Sequence, residues 1–159
     1  HRPEAMDVAV TLNRSSLRWF VDMASWDRVE VALAGDDSLV LNLTVPGRWG
    51  RVLAGYGLRP TGIVLELADR RLRPGENVEY RVRAKGGFRK VASGGVLIET
   101  TVIGPDGVRI ARLGGKCAPL DGMAQLGGSI PLNAKPGRYE VLATLPQTGD
   151  KRRKTFTVE

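Results

Sequence analysis

The sequence is poor in the residues on which most catalytic and metal sites depend. Its 159 residues include one cysteine, Cys117, and one histidine, His1, at the first position. A single cysteine excludes an intrachain disulfide, and the lone histidine leaves no usual base or metal ligand in the body of the chain. We therefore expect that the protein is not an enzyme and has no cofactor or metal site. A calcium ion held by loop oxygens is the one exception that this composition leaves open.

Several sequence motifs of known chemistry are also missing. The chain has no EF-hand loop, no Gly-x-x-x-x-Gly-Lys-Ser/Thr phosphate loop, no RNA-binding aromatic motif and no apolar run long enough to span a bilayer. Carboxylates are numerous enough for a two-carboxylate hydrolase. However, Asp36, Asp37, Asp106 and Asp121 lie in turn sequences and Glu79 points out of a predicted strand, so we interpret them as turn and surface residues.

What the sequence does have is a repeated alternation of apolar and polar residues with a period of two. This pattern predicts strands at residues 8–12, 29–33, 39–45, 63–67, 78–84, 96–103, 108–113, 139–145 and 155–158. The 20 glycines and nine prolines lie mostly between these strands, in turn sequences such as GPDG, KPGR and TGDK. No segment has the period of an amphipathic helix, although residues 26–33 could form a turn or two. We therefore predict an all-β chain.

A boundary is expected near residues 58–62. Residues 61–159 have the length and strand spacing of one β-sandwich, whereas residues 1–60 are short for an independent core. We predict a small β-rich unit over 1–60, which is either a small sandwich packed on its neighbour or part of a domain truncated upstream. The prediction for 61–159 is an immunoglobulin-like sandwich.

Two stretches carry resemblances to known modules. The order RPGENVEYRVRA, GPDG, KPGRYEVLATL and KTFTVE, within residues 63–159, resembles macroglobulin-type and related immunoglobulin-like β-sandwich modules. This resemblance implies a fold and no single function, because surface proteins, protease-trapping proteins and polysaccharide-acting enzymes all carry such modules. Residues 17–50 are similar to β-sandwich segments that accompany von Willebrand factor A domains, but TVPGRWG lacks the acidic residue that precedes proline there.

The chain is strongly basic. It carries 24 Lys and Arg against 17 Asp and Glu, a net charge of +7, so acidic polymers and anionic head groups must be considered as partners. The basic residues concentrate between 70 and 90 and at KRRK, residues 151–154. They could form one surface for an anionic ligand, but for KRRK we prefer protection of a sheet edge against aggregation. We do not expect nucleic acid as a partner.

The candidate contact residues come from these basic rows and from residues 114–128. We predict that residues 114–128 form a long loop that contacts a partner, because long loops in compact sandwiches are commonly functional. Cys117 lies in this loop, and we expect it to be unreactive because the thioester motif Cys-Gly-Glu-Gln is absent. The candidate interaction residues are Lys116, Asp121, Met123, Gln125, Arg81, Arg83, Lys151, Arg152, Arg153 and Lys154.

Three tryptophans, Trp19, Trp26 and Trp49, lie in the first third of the chain. They could form a sugar-stacking platform, but we favour a role in the core because large aromatic side chains dominate core burial. The function we expect is that of a non-catalytic interaction or spacer module of a larger extracytoplasmic, bacterial-type protein. Its partner would be another protein or a neighbouring domain. The alternatives are a carbohydrate-binding accessory sandwich of a polysaccharide-acting enzyme and a basic module that binds anionic polymers.

Overall fold

The structure is a computed structural model that describes residues 4–13, 17, 19–25, 27–34, 38–46, 51–57, 59–68, 70–86, 96–119 and 123–159. The chain divides into two compact units, His1–Arg59 and Pro60–Glu159, which we call unit 1 and unit 2. The regular secondary structure of the described residues is β, apart from a single 3₁₀ turn at Ala111–Leu113. The prediction of an all-β chain is therefore confirmed.

Unit 1 contains two three-stranded sheets. Its strands are β1 (Met6–Leu12), β2 (Trp19–Asp22), β3 (Arg28–Val29), β4 (Val31–Ala34), β5 (Ser38–Val45) and β6 (Leu53–Tyr56). The sheet orders are β1-β5-β4 and β3-β2-β6. Alternation along β5 places Leu39, Leu41 and Leu43 on one buried face, where they form a core cluster with Phe20 and Val29.

Unit 2 is a β-sandwich of a five-stranded and a three-stranded sheet. Its strands are β7 (Gly62–Leu67), β8 (Arg71–Leu72), β9 (Asn77–Lys85), β10 (Ile98–Ile103), β11 (Gly115–Cys117), β12 (Met123–Ser129), β13 (Gly137–Leu145) and β14 (Asp150–Val158). The sheet orders are β11-β10-β13-β14-β8 and β12-β9-β7. Every second residue of β9 and β13 is buried, so the inner faces supply the core while the outer faces are polar.

The first strand of unit 2 changes sheets partway along its length. β7 pairs antiparallel with β9, and after residues 68–70 the chain continues as β8, which pairs parallel with the end of β14. At the other end of β7, the N–H of Ile63 donates to Asp150 Oδ2 at 2.8 Å. The two sheets are therefore connected along this side both by the chain and by a hydrogen bond.

The Pro-Gly turn before β9 shows why this sequence begins a strand. Gly75 has φ +90°, a conformation that residues with a side chain rarely adopt. The Glu76 carboxylate accepts a hydrogen bond from the N–H of Arg73 at 2.7 Å and closes the turn. The chain then enters the alternation of β9.

Two sequence predictions about secondary structure are wrong. Residues 108–113 contain no strand, because Arg109 forms only an isolated bridge with Ile103 before the 3₁₀ turn. Residues 114–128 contain β11 and β12 and are not one long loop. The strand predicted at residues 29–33 is present as β3 and β4, and the alternative of a helical turn there is not. The strands within residues 114–128 pair with β10 and β9, earlier in the chain, which local pattern does not reveal.

Candidate interaction surface

Four of the candidate interaction residues lie together on the outer face of the three-stranded sheet. Arg81 of β9 is opposite Gln125 of β12, and Arg83 is opposite Met123. Cα partners project their side chains to the same side of a sheet, so all four belong to one surface. We call this surface the β9 face; its outward side chains are Val64, Glu66, Glu79, Arg81, Arg83, Lys85, Met123 and Gln125.

The electrostatics of the β9 face are uneven along its length. At one end, Gln125 Nε2 donates to Glu79 Oε2 at 3.1 Å. At the other end, Arg83 and Lys85 are exposed, and neither forms an ion pair within the described part of the chain. The same is true of Arg81. These cations lie beside Met123, whose side chain is 46% exposed. The face therefore combines cations with exposed apolar surface.

The outer face of the five-stranded sheet, which we call the β13 face, has both engaged cations and, in Arg138 and Lys151, cations without an ion pair among the described residues. Three of its cations are matched with carboxylates, and one of these is the candidate residue Lys116. The distances are 2.8 Å for Lys116 Nζ to Glu99, 3.7 Å for Arg153 Nε to Glu140 and 3.2 Å for Arg71 Nη1 to Glu159. Lys116 and Arg153 are thus exposed but already engaged.

The KRRK segment is divided between two directions by the alternation of β14. Lys151 and Arg153 belong to the β13 face, opposite Thr144 and Leu142. Arg152 and Lys154 belong to the other row, on the side of the strand that buries Phe156. Arg152 Nη1 lies 3.2 Å from Asp150 Oδ1.

Lys154 lines a groove of about 540 Å³ beside the point where the first strand changes sheets. The same groove contains Arg70, Arg81, Glu66 and Glu79. Three cations therefore share this groove with two carboxylates, and much of their charge is cancelled locally.

The tryptophan platform is not visible in the part of the chain that the structure describes. Trp19 is 6% exposed and packs against Tyr56 with ring centroids 5.3 Å apart. Its indole Nε1 is buried and has no hydrogen-bond acceptor among the described residues. A buried ring cannot stack on a sugar, so Trp19 is a core residue. Trp26, Trp49 and the candidate Asp121 lie outside the described residues.

Unit 1 has a cleft of about 680 Å³ next to a nearly buried ion pair. Asp22 Oδ2 accepts from Arg51 Nε at 2.5 Å, while Oδ1 accepts from the N–H groups of Ala24 at 2.7 Å and Ser25 at 3.3 Å. The Ala24 N–H and the Arg51 guanidinium hold the pKa of Asp22 below its usual value, although burial opposes them. Sequence reasoning missed this pair, because nothing in the pattern indicates that Asp22 and Arg51 meet. Both oxygens have partners within the protein, so we interpret the pair as structural.

Neither metal nor thiol chemistry emerges from the described residues. They contain no group of three His, Cys, Asp or Glu side chains that could hold a metal ion. Cys117 is half-buried, its Sγ lies 3.7 Å from the carbonyl oxygen of Ile98, and burial raises the pKa of its thiol. The thiol is therefore protonated at neutral pH, the unreactive form. Among these residues there is also no helix long and apolar enough to cross a membrane.

Comparison with known proteins identifies the fold of this chain. No protein-family model and no curated protein matches the chain. Among solved structures, a mutant alpha-2-macroglobulin from Salmonella is similar over 100% of this chain and 12% of its own, with 15% identity and a TM-score of 0.50. The adhesin InvE of Yersinia pseudotuberculosis matches 98% of this chain and 49% of its own, with 12% identity and a TM-score of 0.44. A superoxide reductase from Ignicoccus hospitalis matches 63% of this chain and 82% of its own, with 14% identity and a TM-score of 0.44.

The predicted fold class is confirmed by the macroglobulin structure and by the sheets themselves: the chain has an immunoglobulin-like or macroglobulin-like β-sandwich with a smaller β unit before it. The chain spans about half the length of the adhesin and about an eighth of the macroglobulin. The second resemblance, of residues 17–50 to segments that accompany von Willebrand factor A domains, has no support in these comparisons.

Proposed function

We propose that this chain is a non-catalytic interaction module of a larger extracytoplasmic protein and that it contacts a protein partner through the β9 face. The observation that carries the proposal is the arrangement of Arg81 and Arg83 beside Met123. Both arginines are exposed and form no ion pair within the described residues, whereas Lys116 and Arg153 of the β13 face are engaged with carboxylates.

The side chains of the β9 face suit a protein partner better than a polymer of anions. Arginine, methionine and aromatic residues are enriched in protein interfaces, and arginine is frequent among the residues that dominate binding energy. A polyanion would need an uninterrupted row of cations. Here Glu66 and Glu79 flank Arg81, which interrupts any such row.

Carbohydrate binding receives less support. Sugar recognition on a sandwich needs an exposed aromatic platform, and the described tryptophan, Trp19, is buried. The pairing of β7, β9 and β12 instead offers a preformed sheet surface, which lowers the entropic cost of docking another folded protein.

The size and the compartment of the native protein test the first half of the proposal. An antibody raised against this chain should detect a band far above 17.2 kDa in extracts of the source cells. Protease added to intact cells should degrade that band if the protein is outside the cytoplasm. A band near 17.2 kDa that resists protease would contradict the proposal of a larger extracytoplasmic protein.

Site-specific photocrosslinking in the source cells tests the second half. A photoreactive amino acid placed at Arg83 should crosslink the partner, and adding Arg81→Glu should reduce the yield about tenfold or more, because close interfacial charge pairs contribute strongly. The matched control is the same amino acid at Lys116, which is exposed on the β13 face. Crosslinks from Lys116 with none from Arg83 would assign the contact to the wrong sheet and overturn the proposal.

A further inference from the structure

β12 forms an edge of the three-stranded sheet. It pairs with β9 over all seven residues, Met123–Ser129, and in the described part of the chain no strand pairs with its other side. An edge strand presents a row of backbone N–H and C=O groups that can pair with another chain. We call this side of the strand the β12 edge.

The β12 edge lacks the protection that the other outer strands of unit 2 carry. β7 contains Glu66, β8 contains Arg71 and β11 contains Lys116. β14, which β8 covers only at its last two paired residues, contains four consecutive cations. β12 reads MAQLGGS, with no charge and no proline. Charged residues and proline are common means by which edge strands avoid unwanted pairing, so β12 lacks this kind of protection. The 3₁₀ turn Ala111–Leu113 lies beside β12 at Gly128, where Arg112 and Leu113 are close to the strand.

The side chains on either side of β12 indicate what that occupant must look like. Facing outward, Met123 and Gln125 are next to Arg83 and Arg81, whose long side chains can extend across the strand toward an added neighbour. Facing inward, Ala124 and Leu126 are half-buried at the sheet margin. An added strand would therefore meet cations at alternate positions and apolar surface at the positions between them.

We propose that the β12 edge receives an extended segment of the partner in which acidic and apolar side chains alternate. Pairing of backbone groups would supply affinity, and the alternation would supply specificity, as in other cases of strand addition. This inference rests on the proposed function, because it names the segment by which the partner reaches the β9 face.

A second copy of the chain fits the same edge less well. It would bring its own Arg81 and Arg83 to the shared sheet, and each chain carries a net charge of +7. Like charges on neighbouring strands oppose pairing. Charge complementarity therefore favours an acidic segment over self-association.

A synthetic peptide tests this with the chain as it exists. The probe is as long as β12, alternates glutamate with valine and has neutral ends. The matched control has glutamine in place of glutamate, and a second control is N-methylated at alternate backbone nitrogens. We expect the glutamate peptide to slow hydrogen exchange at amides of β12. The N-methylated control should not do so, because it cannot pair along the edge.

Two substitutions at one exposed position separate the possible occupants. Gln125→Lys should tighten binding of the glutamate peptide and Gln125→Glu should weaken it, each by roughly three- to fivefold, which is the range of exposed charge pairs. Arg83→Gln, which does not alter β12, should weaken binding by a similar factor. If the occupant were a second copy, the two variants would act in the reverse order on self-association: Gln125→Lys would add to the repulsion between copies and weaken it, and Gln125→Glu would reduce that repulsion and strengthen it.

The outcomes divide cleanly. Slowed exchange on β12 with the glutamate peptide, together with opposite effects of the two Gln125 variants, supports the inference. Equal binding of the glutamine peptide, no change on β12, or self-association that Gln125→Lys weakens and Gln125→Glu strengthens would overturn it. If Arg83 crosslinks the partner in cells and the peptide leaves β12 unchanged, the proposed function stands and only the strand addition fails.

Discussion

The two outer faces of unit 2 differ in how many of their cations are engaged with carboxylates, although Arg138 and Lys151 of the β13 face have no ion pair among the described residues. On the β13 face, Lys116 lies 2.8 Å from Glu99 and Arg153 lies 3.7 Å from Glu140. On the β9 face, Arg81 and Arg83 have no carboxylate partner among the described residues. Both faces are rich in basic residues, so composition does not distinguish them. The reach of the individual side chains does: Arg81 stands opposite Glu66 without forming an ion pair within the described residues, whereas Arg153 stands opposite Leu142 and reaches Glu140 on the neighbouring strand.

The two sheets also depend on each other beneath these faces. Tyr80, between Glu79 and Arg81 on β9, points into the core, and its hydroxyl donates to the carbonyl oxygen of Leu113 at 2.7 Å. The same hydroxyl lies 2.9 Å from Thr100 Oγ1 in the five-stranded sheet. A buried polar network of this kind fixes one strand relative to another, since every unpaired member would be costly. The β9 face is therefore held in position from below.

The largest effect is expected from a substitution that disturbs the pairing of β12 with β9. In Gly127→Ala the new Cβ would lie 2.0 Å from the carbonyl oxygen of Val78, at a φ of +131° that alanine rarely adopts. A strained backbone usually costs about 1–3 kcal/mol. Because the clash with Val78 adds to this strain, we expect the free energy of unfolding of unit 2 to fall by more than that amount and the amides of β12 to exchange faster.

The matched control for this change is Gly115→Ala in β11. There the new Cβ would meet no atom within 4 Å, so the stability should change by less than about 0.5 kcal/mol. Denaturant unfolding monitors both variants. Equal stabilities would show that β12 does not need the close approach at Gly127.

Sequence reasoning predicted strand β9 but did not predict strand β12. The strict alternation from Asn77 to Lys85 is enough to assign a strand and to place Arg81 and Arg83 outward. β12 was missed because its two glycines interrupt the apolar alternation, and its paired residues lie 40 to 52 positions earlier in the chain, from Met123↔Arg83 to Ser129↔Asn77. Local pattern carries no information about such a contact.

The ion pairs could not be predicted from the sequence either. Lys116 meets Glu99 because β11 pairs with β10 in one particular register, which also places Cys117 opposite Ile98. A shift of one residue would direct Lys116 to the other side of the sheet. The KRRK segment illustrates the same limit: its residues read as one basic block, although alternation sends them in two directions.

Removing the Tyr80 hydroxyl tests whether this side chain connects the two sheets. Tyr80→Phe leaves the buried Leu113 carbonyl without this donor, and we expect a loss of about 1–3 kcal/mol. The control is Tyr139→Phe, whose hydroxyl donates to the Lys135 carbonyl four residues away at 2.9 Å and is only partly buried. Its loss should cost about 0.5–1.5 kcal/mol. Similar values in denaturant unfolding would indicate that Tyr80 does not connect the sheets.

The same tyrosine predicts how stability depends on alkaline pH. Burial raises the pKa of Tyr80 above its ordinary value of 10.0. The unfolded chain therefore releases this proton first, so the contribution of Tyr80 is complete below pH 10 and is lost as the pH rises through the folded pKa. Tyr80 should contribute a slope of up to about 1.4 kcal/mol per pH unit, which is lost in Tyr80→Phe. A smaller slope should remain in that variant, because burial also raises the pKa of Tyr139. Burial also raises the pKa of Cys117, so Cys117→Ala is needed in both backgrounds.

The smallest effect concerns the surface charges themselves. Glu99→Gln removes the partner of Lys116 and should cost up to about 1 kcal/mol, whereas Arg83→Gln should leave stability unchanged or slightly raised, because the chain already carries +7. At about 1 M salt, where the screening length is roughly 3 Å, the difference should disappear. Partner binding should respond in the opposite way. With a photoreactive amino acid at Met123, Arg83→Gln should weaken crosslinking to the partner, whereas Glu99→Gln should not. If both substitutions lowered the free energy of unfolding by the same amount, Arg83 would have to be engaged within the chain. The difference between the two faces would then no longer explain why a partner selects the β9 face.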